Sequence, residues 1–160
     1  MKQVVREHNM AIKCEKRFFR QETLCYSLSG IEVPILTVTS RLNKDNFQEI
    51  DREEFASNED TSTLGEYKKY IFLTSRVYPG ETVASFMMEG FIKFITSQTD
   101  IQAQDLRKKF IFKIVPILNP DGLIIGNCRA SMSGNDLNRV VERPSKRLQP
   151  TMYNLKELIK

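Results

Sequence analysis

At 160 residues, with 41% hydrophobic and 28% charged residues, the chain has enough apolar material for the packed core of one soluble domain. A net charge of +4 is too small to argue for nucleic acid, and no apolar run approaches the ~20 residues needed to cross a bilayer. Met1 to Met10 lacks the apolar core of a signal peptide. The three cysteines, Cys14, Cys25 and Cys128, show no Cys-x-x-Cys spacing, so reduced thiols in a cytoplasmic protein are expected.

Residues 1–22 are polar and rich in cations, anchored only by Phe18 and Phe19, and read as an edge piece or tail. Thr23–Leu28 and Val33–Thr39 are β-rich runs on either side of Ser29-Gly30-Ile31-Glu32, which predicts a hairpin. Arg41 to Glu66 is polar, with acidic residues clustered between Asp45 and Asp60, and reads as a solvated loop or insertion. Residues 1–66 are therefore taken as the end of an N-terminal β region plus an acidic loop, and 67–160 as an α/β unit.

Tyr70–Thr74 suits a short strand buried on both faces. From Thr82 to Ser97, apolar residues at Val83, Phe86, Met87, Phe91, Phe94 and Ile95 recur at helical spacing, with Gly90 on or near that face for close packing. Ile101–Lys109 adds a short helical turn, and Phe110–Leu118 is a second buried strand. Strand, helix and strand form a βαβ unit with parallel strands. The turn after each strand, Tyr78–Glu81 and Asn119–Gly122, must then emerge at the same sheet edge, where ligands bind in open α/β sheets. A last helix runs from Thr151, a candidate N-cap, to Lys160, with Met152, Leu155 and Ile159 at helical spacing. Its apolar pattern is still running where the sequence stops, as if unfinished.

Glu81, at the helix start, is either a capping carboxylate or a metal ligand. Arg129, Asn138 and Arg139 follow the second strand, where arginines are placed to clamp a carboxylate bidentately or to stand as solvated cations. His8, the single histidine, is read as an ordinary exposed residue; alone it excludes a histidine-based metal cluster. No glycine-rich nucleotide motif is present.

Four segments in order carry a resemblance: Ser75-Arg-Val-Tyr-Pro-Gly-Glu-Thr82, Phe112-Lys-Ile-Val-Pro-Ile-Leu-Asn-Pro-Asp-Gly122, Gly126-Asn-Cys-Arg129 and Gly134-Asn-Asp-Leu-Asn-Arg139. Together with Leu36–Thr39 and Pro150–Tyr153, they resemble the zinc metallocarboxypeptidases, in particular the cytosolic branch that trims glutamates from tubulin tails and other protein C-termini. The resemblance covers Thr23 to Lys160. It implies an α/β fold with a mixed, largely parallel sheet and flanking helices, preceded by a β-hairpin region, of which 67–160 would be the first half of the catalytic domain.

By the same resemblance Glu81 is a zinc ligand, Arg129 polarises the scissile carbonyl, and Asn138 and Arg139 grip the substrate's terminal carboxylate. Zinc would activate a water for hydrolysis. Tyr78, however, stands where the family has a ligand histidine, and a phenol with a pKa of about 10 is a poor neutral-pH ligand. The family's second ligand histidine and its catalytic glutamate fall beyond Lys160. The resemblance therefore implies a partial or degenerate carboxypeptidase domain, a pseudoenzyme that by itself neither binds catalytic zinc nor hydrolyses peptides. The alternative is a non-catalytic module that binds acidic C-terminal tails. Neither reading calls for nucleic acid or a membrane.

Overall fold

The computed structural model describes residues 17–40 and 68–160. Two strands, β1 (Arg17–Tyr26) and β2 (Glu32–Ser40), form the expected hairpin. Its turn is closed by Ser27 N donating to Ile31 O at 2.8 Å and by Gly30 at φ +84°, a backbone conformation that favours glycine. β1 starts at Arg17 rather than Thr23, because its first residues continue the antiparallel ladder against Thr37–Ser40. The acidic stretch of 41–66, His8 and Cys14 lie outside the described residues.

β3 (Lys69–Thr74) leads to α1 (Thr82–Ile95) and α2 (Ile101–Lys109), and the chain returns as β4 (Phe110–Val115). The strand order is β1-β2-β4-β3. β3 and β4 are parallel, as a helical crossover requires, while β2 pairs with β4 antiparallel. The sheet is thus mixed and flanked by helices. Among the described residues the hairpin contributes two antiparallel pairings against one parallel pairing, and it shares one sheet with the α/β unit.

Alternation along β2 and β4 buries both faces of the sheet. Val33, Ile35 and Val115 meet Leu118, Leu137, Met152 and Leu155, bringing α4 (Pro150–Ile159) onto one face. Leu36, Val38, Phe112 and Ile114 meet Ile95 and the half-buried Met88, Phe91 and Ile92 of α1 on the other. Phe91 and Phe112 tilt against one another with ring centroids 5.8 Å apart.

Four expectations change here. Among the described residues β3 lies at the edge of the sheet, with Tyr70 exposed, and is not buried on both faces. In α1 the packed side is Met88, Phe91, Ile92 and Ile95, whereas Val83, Phe86 and Met87 are exposed and a Cβ on Gly90 would meet nothing within 4 Å. The apolar residues of this helix cover a wider arc than the sheet does, so periodicity alone could not say which part would be covered. Asn119-Pro-Asp-Gly is no free-standing turn but the start of α3 (Pro120–Ile125), with Asn119 as N-cap and proline in the first turn, where its missing N–H costs nothing. In α4 the N-cap is Gln149, and Thr151 is buried within the first turn.

Candidate functional site

The loops after β3 and β4 meet at one sheet edge, as the parallel pairing dictates, and specific contacts hold them there. Leu118 N donates to Ser75 O at 2.9 Å and Asn119 N to Arg76 O at 3.1 Å, extending the parallel contact beyond the strands. Asn119 Nδ2 donates to Val77 O at 3.2 Å, while its Oδ1 accepts from Gly122 N at 3.1 Å, so one side chain caps α3 and ties the two loops together.

Glycines permit the closest approaches. A Cβ on Gly122 would lie 2.6 Å from Pro79 Cγ and 2.7 Å from Ala130 O. One on Gly80 would lie 2.8 Å from Cys128 O, the oxygen that accepts the Gly80 N–H. The Pro-Gly and Asp-Gly pairs legible as turn signals are therefore also interlocking surfaces.

Arg76 explains the shape of the first loop. It is buried and adopts φ +54°, an uncommon backbone conformation for a residue other than glycine. Its guanidinium donates to Pro79 O at 2.6 Å and to Ser85 Oγ at 2.9 Å, bracing the turn against the first coil of α1. Asp121 anchors the other loop to the hairpin. Its carboxylate accepts from Ser27 Oγ at 2.6 Å, from Leu28 N at 3.0 Å and from Ser29 Oγ.

On this frame, Tyr78 becomes the hub of a polar cluster. Its hydroxyl accepts from Arg129 Nη2 at 3.1 Å and Asn138 Nδ2 at 3.2 Å, and lies 3.4 Å from Asp136 Oδ2, to which it donates. Asp136 Oδ2 also accepts from Arg129 Nε at 2.7 Å, and Asp136 Oδ1 caps Asn138 N at 2.9 Å. The Arg129 guanidinium lies 4.6 Å from the centre of the Tyr78 ring. Burial raises the Asp136 carboxyl's pKa, but the Arg129 and Asn138 hydrogen bonds and the charges of Arg129 and Arg139 outweigh it and hold the group below the usual aspartate range. The hydrogen bond to Asp136, and then its charge, raise the Arg129 pKa correspondingly.

The sequence-derived candidates therefore divide. Arg129 and Asn138 converge on Tyr78, and Arg139 acts on the cluster through its charge at Asp136. Glu81 occupies the N-cap position of α1, yet its exposed side chain makes no cap hydrogen bond. Asp136, which organises the cluster, was not among the candidates. Its signal was local: an aspartate two residues before Asn138, suited to receive that residue's N–H.

Zinc does not fit the donors in hand. A phenol offers one proton and its oxygen lone pairs, and here two N–H donors take the lone pairs while the proton faces Asp136. That leaves Glu81 as a single carboxylate, and among the described residues no three His, Cys, Asp or Glu side chains gather as a metal site.

Comparison with known proteins places these features in a lineage. The zinc carboxypeptidase family profile matches residues 9–146. Cytosolic carboxypeptidase 1 of Xenopus laevis is 44% identical over 142 residues, covering 89% of this chain and 10% of that protein. Human cytosolic carboxypeptidase 4 is 40% identical over 149 residues, covering 93% and 12%. Among solved structures, a metallo-carboxypeptidase from Burkholderia cenocepacia superposes with a TM-score of 0.71 at 22% identity, covering 99% of this chain and 37% of that one. The chain thus spans about a tenth of the length of these curated relatives.

Proposed function

The chain belongs to the zinc carboxypeptidase family, and on that premise we propose that it is the carboxylate-recognising part of a cytosolic-carboxypeptidase-type domain that does not itself hold catalytic zinc. The family reaction is the zinc-dependent removal of C-terminal residues. The ligand class proposed for this chain is an acidic protein C-terminus ending in glutamate, such as a tubulin tail, met in the cytoplasm. Arg139, with Asn138 and Arg129, would receive the terminal carboxylate, and Glu81 would remain as the one metal-type ligand.

The observation that carries this reading is the state of Tyr78. At the position where the resemblance calls for a histidine ligand, the side chain offers a phenol already hydrogen-bonded to Arg129 and Asn138. The recognition donors are kept and oriented, while the metal-binding function of the turn is not. A binding role uses what the cluster retains: two arginines and an amide at a sheet edge, partly exposed, with only one of the arginines paired to a carboxylate in the described contacts.

Titration of a glutamate-ended peptide, with its C-terminal amide as control, tests the proposal. We expect Arg139→Ala to weaken the free-acid peptide roughly tenfold or more, the scale of a lost charge-assisted hydrogen bond, and the amide to bind as poorly to wild type. Equal affinities for acid and amide, or for wild type and Arg139→Ala, would rule out carboxylate recognition.

A further inference from the structure

We propose that the Tyr78 hydroxyl is a built-in occupant of the Arg129–Asn138 donor pair, an autoinhibitory contact that an incoming carboxylate must displace. This rests on the carboxylate-recognising role proposed above and adds what regulates it. The phenol oxygen lies 3.1 Å from Arg129 Nη2 and 3.2 Å from Asn138 Nδ2. A ligand oxygen bridging the same two N–H groups would compete with the phenol oxygen for them. Each of these N–H groups points at one acceptor, so a ligand oxygen that takes both must replace the phenol oxygen there.

The remaining contacts decide how the exchange must occur. Arg129 Nε is already committed to Asp136 at 2.7 Å and Nη2 to Tyr78, so the side of the guanidinium that carries these two nitrogens is occupied, and a ligand that takes that side must displace the phenol. The backbone on either side of Tyr78 is pinned: Val77 O accepts from Asn119 Nδ2, and Gly80 N donates to Cys128 O. Displacement is therefore a rotation of the Tyr78 side chain, not a movement of the turn. Tyr78 and Asn138 lie 60 residues apart in sequence, so nothing local imposes the contact; the fold brings it about.

The decisive comparison is Tyr78→Phe, which keeps the ring beneath Arg129 and removes only the oxygen. With a glutamate-ended peptide as probe, we expect this variant to bind roughly three- to tenfold more tightly than wild type, the fold-change set by one competing hydrogen bond. Equal or weaker binding by the variant overturns the contact as an occupant while leaving carboxylate recognition intact. Absence of binding to both proteins overturns carboxylate recognition and, with it, this inference. A second readout needs no variant. On saturation of wild type with the peptide, the Tyr78 ring resonances should move, and resonances unchanged at saturation would overturn the displacement.

Discussion

Two carboxylates, Asp121 and Asp136, sit on the same stretch of chain after β4 and perform opposite tasks. Asp121 is buried and surrounded by neutral donors, two serine hydroxyls and a backbone N–H of the hairpin turn. Asp136 is partly exposed and faces cations and a phenol. A buried carboxylate satisfied by neutral, preset donors fixes geometry, since any donor left unpaired is costly there. A partly exposed one beside solvent-exposed charged groups can exchange partners at lower cost, because water takes over what a ligand displaces. The first region is scaffold and the second is a site, although both look alike as hydrogen-bond lists.

The largest effect should come from breaking the scaffold side. Asp121→Ala would strip the partner from Ser27, Leu28 and Ser29 at once, and we expect a loss of about 2–4 kcal/mol in chemical denaturation. A loss under about 1 kcal/mol would mean that water replaces the carboxylate, and the contrast between the two regions would collapse.

A smaller effect on the site side sharpens the contrast through pH. The folded Asp136 carboxyl lies below its unfolded value of about 3.9. Its contribution is therefore present above that value and is lost as pH falls through the lower, folded pKa. In a pH titration followed by the side-chain resonances of Arg129 and Tyr78, we expect the cluster to loosen only below about pH 4, and Asp136→Asn to abolish that transition. A transition centred near neutral pH would contradict the ion-pair account of the cluster.

Much of the scaffold was legible beforehand, because it depends on periodicity and turn chemistry. The hairpin around Gly30, the parallel β3–β4 pair and the meeting of the two loops follow from β-rich and apolar runs and from the Gly- and Pro-containing turns beside them. The covered arc of α1 was not legible. Val83, Phe86 and Met87 satisfy the helical period as well as Phe91 and Ile95 do, and only the position of the sheet decides among them. Nor does spacing reveal that β3 lies at the edge of the sheet among the described residues, since Tyr70–Thr74 is as apolar as a central strand.

The site divides on the same physical line. Glu81, Arg129, Asn138 and Arg139 stand out by residue type and resemblance, but the contacts that bring Arg129 and Asn138 together run through Tyr78, 51 and 60 residues away in sequence. Tyr78 was marked as a departure from the zinc pattern. That its hydroxyl joins Arg129 to Asn138 required three dimensions.

The most direct test of the account is the zinc content of the purified chain after exhaustive dialysis, read beside release of free glutamate from a glutamate-ended peptide. With Tyr78 hydrogen-bonded in the ligand position and Glu81 as the single remaining carboxylate, we expect well under one equivalent of zinc and no released glutamate. One tightly held zinc per chain accompanied by glutamate release would contradict it.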